Sequence, residues 1–277
     1  MKKELKIHLN GTIKTKYIKF KMLPITLRPK KNYKLIRLGN KYDGGYLVDE
    51  ISIKKSEILV SGGIFYDFKF EQDYISLTNN NIYCFDHIIN PFKYILIWIL
   101  ILLKRLIFFE NKEKILKAKK NILKPLKFLK FLKKKKVTYQ KKGIGIDSKN
   151  IYSLDTILNK IVPKKKYFLK IDIEGDEYKI LNQIINSSEY LTGLVIEFHN
   201  VSKNIQQIEM FINKLPLELI YIHPNNAGEV NKYNDPEIIE FSFSKFALSD
   251  NNDNFKKHKL DFPNNPYKRE INLNFFE

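Results

Sequence analysis

The sequence of 277 residues is poor in several features that mark common classes of protein. Its single cysteine, Cys84, rules out a disulfide framework and favours a reducing compartment. The first residues, MKKELKIHLNG, lack the long apolar segment of a signal peptide, so we expect a cytoplasmic protein. Alanine is scarce whereas lysine, asparagine and isoleucine are abundant. That bias is typical of AT-rich genomes, and part of the lysine excess therefore need not reflect function.

Acidic residues are also few, and the imbalance is concentrated in one segment. The net charge is +19, and residues 92–136 contribute +13 of it, with 15 Lys/Arg and 2 acidic residues. The rest of the chain is only mildly basic. The sequence therefore does not predict the diffuse cationic surface that favours nucleic-acid binding.

The segment 88–136 differs from its surroundings in its hydrophobic pattern as well. The run YILIWILILL is about half of the roughly 20 residues that a membrane-spanning helix needs, so a re-entrant, interfacial or buried helix is favoured over a span. The stretch LKPLKFLKFLKKKK then places leucines three residues apart between lysines, which is typical of a basic amphipathic helix. The segment has three interpretations, in decreasing order of preference. It covers the core as a packed helix, it contacts an anionic membrane surface through 92–136, or it binds nucleic acid. Few aromatic residues alternate with the lysines, so no nucleic acid is expected.

Strand and helix patterns alternate through residues 57–200, which predicts an α/β fold: a doubly wound, mostly parallel sheet with helices on both faces. The strand EILVS runs into Gly62-Gly63, a helix follows, and the strand IYCF ends at Asp86. This order is that of a nucleotide-binding βαβ unit, in which an acidic residue accepts hydrogen bonds from ribose hydroxyls. The third glycine of G-x-G-x-x-G is missing. The site therefore fits a nucleoside without a pyrophosphate better than a nicotinamide dinucleotide.

The stretch YFLKIDIEGDEYKIL predicts a buried strand that passes through an acidic turn into a helix. Asp172 lies near the end of the strand, and Glu174, Asp176 and Glu177 lie at the start of the helix, where the macrodipole favours negative charge. Ligands of open α/β sheets bind at the carboxyl ends of the strands. These acids therefore either cap a helix or form part of an active site.

The next strand, LVIEFH, places Glu197 and His199 at its end. His199 is a candidate general base because its pKa lies near the working pH, although a histidine at a strand end is more often structural. Asp172, Glu174, Glu197 and His199 could also form an oxygen-rich site for a divalent metal. The spacing alone does not favour that arrangement, so no metal is predicted.

Several of these stretches together resemble the FkbM-type methyltransferases. KIDIEGDEYKIL is similar to the core signature of the family, SLDTIL to the Leu-Asp element that precedes it, and LVIEFH to the following strand. The segments RLGNKYDGGYLV, ILVSGGIFYDFKFE, IYCFDH, His-Pro-Asn-Asn and DFPNNP resemble additions in one subgroup. The insert at 88–136 departs from the family pattern in length and charge.

The resemblance implies a class I, S-adenosylmethionine-dependent methyltransferase with a Rossmann-like, mostly parallel seven-stranded sheet. Ser61, Gly62 and Gly63 would then line the amino-acid end of the cofactor, Asp86 would hold the ribose, and Gly143-Ile144 would lie near adenine. Of the acids, Asp172 and Glu174 are assigned with Glu197 and His199 to the catalytic site, whereas Asp176 and Glu177 are interpreted as helix-start charges.

We accordingly expect an enzyme that methylates a hydroxyl on a small molecule, sugar, glycan or glycolipid. A membrane-surface binding protein without catalysis and a nucleic-acid methyltransferase are the alternatives. The predicted organisation is a lead-in with a hairpin over 1–56, the methyltransferase domain over 57–250 with the basic helical insert at 88–136, and a loop tail over 251–277. The expected location is cytoplasmic, with a peripheral position on the inner face of the membrane if the insert binds lipid. The acceptor and the oligomeric state are not predicted.

Overall fold

The computed structural model of the chain describes residues 3–9, 12–18, 23–232, 234–249 and 255–276. The predicted boundary between residues 250 and 251 lies outside the described residues. The strands, in chain order, are β1 (Lys3–Leu9), β2 (Thr12–Ile18), β3 (Leu23–Pro24), β4 (Ile36–Gly39), β5 (Gly45–Val48), β6 (Ile58–Gly62), β7 (Asn81–Phe85), β8 (Val137–Gln140), β9 (Gly143–Ile144), β10 (Ile151–Tyr152), β11 (Tyr167–Ile171), β12 (Leu191–His199), β13 (Glu218–Pro224), β14 (Ile238–Ser244) and β15 (Phe275–Phe276).

The α-helices are α1 (Glu50–Lys55), α2 (Lys69–Thr78), α3 (Pro91–Ile107), α4 (Lys112–Leu132), α5 (Leu154–Thr156), α6 (Leu181–Asn186) and α7 (Val201–Lys214). Short turns of 3-10 helix span Ile25–Leu27 and Glu177–Lys179, and a π-turn, Ile157–Ile161, extends α5.

Seven strands form one sheet in the spatial order β13-β14-β12-β11-β6-β7-β8, and within it β14 alone runs antiparallel to its neighbours. This confirms the predicted seven-stranded, mostly parallel sheet. The chain passes from β6 outward to β7 and β8 and then returns to place β11 on the other side of β6. Such a reversal opens a crevice at the carboxyl ends of the two central strands, where open α/β sheets bind their ligands.

Helices cover both faces of the sheet because successive side chains of a strand point to opposite sides. In β6, Ile58 and Val60 join the apolar cluster under α5, α6 and α7, whereas Leu59 joins the cluster under α1, α2 and α4. All five residues of β11 are buried, as expected for a strand covered on both faces.

A hairpin of β4 and β5 lies on the same face as α1 and α2, and it brings Tyr46 over the sheet. Asp43 and Gly44 lie in the turn between the two strands, with Gly44 at φ +75°. The Arg37 side chain closes the turn by donating to the carbonyls of Asn40 and Tyr42. The hairpin thus places Asp43 and Gly44 beside the carboxyl edge of the sheet.

The segment between β7 and β8 forms a helical hairpin of α3 and α4. Tyr94 of α3 packs against Tyr66, with ring centroids 4.5 Å apart, and Phe131 of α4 stacks on Phe68 at 4.6 Å. Among the described helices, none is long and apolar enough to cross a bilayer. The tail beyond residue 255 is loop apart from β15, which pairs with β3.

Candidate active site

The glycine turn after β6 forms the centre of the candidate site. Gly63 has φ +75°, and a Cβ on it would lie 1.5 Å from the carbonyl oxygen of Asp172. The Gly63 N–H donates to the Phe85 carbonyl at 3.0 Å, and the Asp172 N–H donates to the Gly62 carbonyl at 3.1 Å. Only glycine therefore fits at position 63, where the ends of three neighbouring strands meet.

A cavity of about 340 Å³ opens at this edge, lined by Gly63, Asp86, Gly143, Ile144, Lys170 and Asp172 among others. Its volume is within the range of small-molecule pockets. Three of the five predicted cofactor residues, Gly63, Asp86 and Ile144, lie on its wall. Ser61 is fully buried, with its hydroxyl donating to Glu71 at 2.6 Å, and Gly62 lies beneath the side chain of Ile144. The structure therefore brings part of the predicted set into the cavity.

Asp86 joins the two loops that border the cavity. Its Oδ2 accepts from the backbone N–H of Phe65 at 3.0 Å, and its Oδ1 accepts from Ile88 and Ile89 at 2.8 and 3.2 Å. An ionised carboxylate can accept about four hydrogen bonds. Asp86 thus keeps room for a ligand hydroxyl while it fixes the backbone around it.

Asp172, which lines the cavity, carries a buried acceptor atom that is not hydrogen-bonded. Its Oδ1 is buried and has no hydrogen-bond partner among the described residues, and its Oδ2 lies 3.5 Å from the Tyr46 hydroxyl. Burial raises the pKa of Asp172, although the positive charges of Lys170 and His199 oppose that rise. A buried polar atom without a partner requires an explanation, and a cationic or hydrogen-bonding ligand in the cavity supplies one.

Lys170 and Glu71 form a buried ion pair at the base of the cavity, which the sequence analysis missed. The Lys170 ammonium lies 3.8 Å from Glu71 Oε1, and both side chains are at most 5% exposed. Burial raises the pKa of Glu71 and the Lys170 charge opposes this. A lysine inside an apolar strand signature is the only sequence signal for this pair.

The four predicted catalytic residues lie together around His199. Its Nε2 lies 3.4 Å from Glu197 and 3.5 Å from Glu174, and the donor atoms of Asp172, Glu174 and His199 lie within 4.8 Å of one another. That spacing would also suit a divalent cation. Glu174 is exposed and has φ +56°, a strained backbone conformation of the kind that clusters at functional sites.

Glu177 holds His199 in place, a role that its interpretation as a helix-start charge did not foresee. Its Oε1 accepts from the His199 backbone N–H at 2.6 Å and lies 3.3 Å from Nδ1 of the ring, and its Oε2 accepts from the Gly175 N–H at 2.8 Å. The carboxylate is fully buried. Burial lowers the pKa of His199, but the hydrogen bond and charge of Glu177, with the charges of Asp172 and Glu174, raise it above the usual 6.5.

We expect the His199 ring to titrate above pH 6.5 in the folded protein, as measured by the pH dependence of its NMR resonances. The Glu177→Gln variant should lower that midpoint, because it removes the nearest negative charge. Because the pKa of His199 is higher in the folded than in the unfolded protein, protonation of the ring stabilises the fold. This contribution is fully present at pH values below the unfolded-state pKa and is lost as the pH rises through the folded-state pKa. His258 is an internal control, because burial and Lys259 lower its pKa. An unchanged His199 midpoint in Glu177→Gln would contradict this account.

A row of titratable side chains continues from this centre across the sheet. Glu197 pairs in register with Glu240, and Glu240 pairs with His223 on the next strand. His223 Nδ1 lies 2.6 Å from Asp261, and its Nε2 lies 2.7 Å from the Asn264 side-chain oxygen. His223 and Asp261 also line a second cavity, of about 540 Å³. His223, Asp261 and Asn264 lie in segments that the sequence marks only through the family resemblance.

A known family model matches a large part of this chain. The family model described as the methyltransferase FkbM domain matches residues 112–256, a little more than half of the chain. The match includes β11 and β12 with the residues around His199, and it begins after Gly63 and Asp86. No curated protein matches the chain. Among solved structures, a protein from Thermoplasma acidophilum, described provisionally as a methyltransferase, is 7% identical over 69% of this chain and 68% of that chain, with a TM-score of 0.32.

Proposed function

The chain belongs to the FkbM methyltransferase domain family, and we propose that it transfers a methyl group from S-adenosylmethionine to a hydroxyl of a sugar, glycan or glycolipid. The observation that carries the proposal is the cavity at the junction of β6 and β11. The Gly63 backbone lines this cavity, and so does Asp172, whose carboxylate has one buried oxygen without a hydrogen-bond partner among the described residues.

The residues on the cavity wall suit the parts of this cofactor. Asp86 has room to accept a ribose hydroxyl, and Ile144 offers an apolar surface to a base. Lys170 and Asp172 provide one positive and one negative charge for a zwitterionic amino-acid group. S-adenosylmethionine, when bound, supplies an electrophilic methyl group on a sulfonium. The protein would contribute mainly orientation, since the displacement requires the acceptor oxygen in line with the departing sulfur.

His199 is the residue that we assign to remove the proton of the acceptor hydroxyl. A neutral imidazole can take that proton, and Glu177 fixes the ring from the side of Nδ1 so that Nε2 faces Glu174 and Glu197. The resulting imidazolium would be stabilised by the surrounding carboxylates. Because the same carboxylates raise the pKa of His199, the neutral fraction and the proposed activity should increase with pH above 6.5.

The charge of the cavity favours a sugar acceptor over a nucleic acid. Six acidic side chains and one lysine line it, the acids being Asp43, Asp67, Asp86, Asp172, Glu174 and Asp176. A phosphate backbone would be repelled by such a wall, whereas sugar hydroxyls can donate to carboxylates.

The Asp86→Asn variant should bind S-adenosylhomocysteine at least about tenfold more weakly than the unchanged protein, measured by isothermal titration calorimetry, because a charge-assisted hydrogen bond is lost. Asp155→Asn, an exposed position on α5, is the matched control and should bind normally. Failure of the unchanged protein to bind S-adenosylhomocysteine would refute the cofactor assignment. Transfer of labelled methyl from S-adenosylmethionine to a panel of sugars, glycolipids and RNA then tests the acceptor class, and label in RNA alone would refute the sugar assignment.

A further inference from the structure

The outer face of α3 is apolar and uncovered. It consists of five large side chains at helical spacing, Phe92, Leu96, Leu100, Leu103 and Ile107, which are between 49% and 77% exposed. None of the residues of α3 is fully buried, and the charged side chains of the helix are confined to Lys93, Lys104 and Arg105. Contiguous exposed apolar surface on a folded protein is typical of an interaction site.

The far end of the helical hairpin continues that surface. Phe108 and Phe109, in the loop between α3 and α4, are 67% and 93% exposed. On α4, exposed leucines alternate with exposed lysines, whereas the buried side of the helix carries Ala118, Phe128 and Phe131. Both helices therefore direct apolar residues away from the core, and α4 adds lysines beside them.

We propose that the helical hairpin α3–α4 docks on the surface of an anionic lipid bilayer, with the outer face of α3 inserted at the level of the headgroups. Residues 92–136 carry 15 Lys/Arg and 2 acidic residues, so this surface combines an apolar face with a strong positive charge. Interfacial helices have that combination, and anionic headgroups attract lysines close to the apolar boundary. A second copy of the chain would bring two such positive segments together, and their repulsion disfavours that occupant.

The base of the hairpin lies at the mouth of the 340 Å³ cavity. Tyr94 of α3 contacts Phe65, with ring centroids 6.2 Å apart, and Phe65 and the exposed Ile88 both line the cavity. Docking would therefore bring the cavity mouth close to the lipid headgroups. If the proposed function holds, the acceptor hydroxyl belongs to the sugar of a glycolipid. The docking itself does not depend on that function.

The test is flotation of the full chain with vesicles of phosphatidylcholine alone or of an equal mixture of phosphatidylcholine and phosphatidylglycerol, because anionic headgroups attract polybasic segments. We expect binding to the anionic vesicles alone. Replacing Leu96, Leu100 and Leu103 together with glutamine should weaken it about tenfold or more, since the apolar contact is lost. Leu77, Met210 and Leu248, replaced in the same way, are a matched control, because they are exposed apolar residues outside the hairpin.

Charge is tested separately by replacing Lys117, Lys120 and Lys124 with glutamine, which should also weaken binding to the anionic vesicles. Lys203, Lys214 and Lys256, replaced in the same way, are the control set.

Flotation that needs the lysines but not the leucines would overturn the insertion of α3, because a purely electrostatic contact does not require an apolar face. Absence of flotation, with a dimer by light scattering that the leucine variant abolishes, would assign the surface to a second copy. Calorimetric binding of S-adenosylhomocysteine should be unchanged in all four variants, which separates this result from a failure of the proposed function.

Discussion

Gly63→Ala is expected to remove measurable binding of S-adenosylhomocysteine and to lower the free energy of unfolding by about 2–5 kcal/mol. The added Cβ would lie 1.5 Å from the Asp172 carbonyl oxygen, which belongs to the backbone and cannot rotate away. The ends of β6 and β11 must separate to admit it, and that movement breaks the hydrogen bond from the Asp172 N–H to Gly62. The φ of +75° at this position is also an unfavourable backbone conformation for alanine.

Gly175→Ala is the matched control, because Gly175 has φ +104° and no atom within 4 Å of the position where its Cβ would be. It should lower the free energy of unfolding by only about 1–2 kcal/mol, the cost of the backbone conformation alone. Binding of S-adenosylhomocysteine should persist. Urea unfolding and calorimetry on both variants measure the comparison. If Gly63→Ala and Gly175→Ala lower the free energy of unfolding equally, the backbone conformation makes Gly63 necessary, and the close approach of the strands does not.

The sheet could be predicted because its signals are local. The run YFLKI is apolar on both faces of an extended chain, and β11 is indeed covered on both sides. The interval from Gly63 to Asp86 likewise indicated a strand, a turn, a helix and a second strand, and β6, α2 and β7 follow that order. Side-chain direction was available from the same pattern. Ser61 alternates with Val60 along β6, so its hydroxyl points to the side of α2 and reaches Glu71.

The pairings that complete the site depended on information that no local pattern contains. Lys170 meets Glu71 because the strand order places β11 beside β6 under α2, and these residues are 99 positions apart in the chain. Glu177 looked like a helix-start charge, yet its position near the end of β12 brings it to His199. The helical hairpin shows the same limit. Its apolar run and lysines were evident, but only the fold shows that the apolar face of α3 is left uncovered.

Lys170→Met is expected to lower the free energy of unfolding by about 3–5 kcal/mol at pH 7, because it leaves the buried carboxylate of Glu71 without its cation. Burial already raises the pKa of Glu71, and loss of Lys170 should raise it further. A carboxylate with a raised folded pKa destabilises the fold as the pH rises through that value. The difference in the free energy of unfolding between the unchanged protein and Lys170→Met should therefore decrease as the pH is lowered towards 5. Urea unfolding at several pH values measures this difference.

Adding Glu71→Gln to Lys170→Met tests why Lys170→Met lowers the free energy of unfolding. The loss arises either from the unpaired charge of Glu71 or from the lost packing of the lysine side chain. The double variant should recover most of the lost stability, since glutamine can still accept from the Ser61 hydroxyl and carries no charge to leave unpaired. Lys166→Met, at an exposed lysine immediately before β11, is the control and should change the free energy of unfolding by no more than about 0.5 kcal/mol. If the double variant is as unstable as Lys170→Met, the lysine stabilises this edge of the sheet through its packing against Tyr46, whose ring centroid lies 5.7 Å from the ammonium, and not through Glu71.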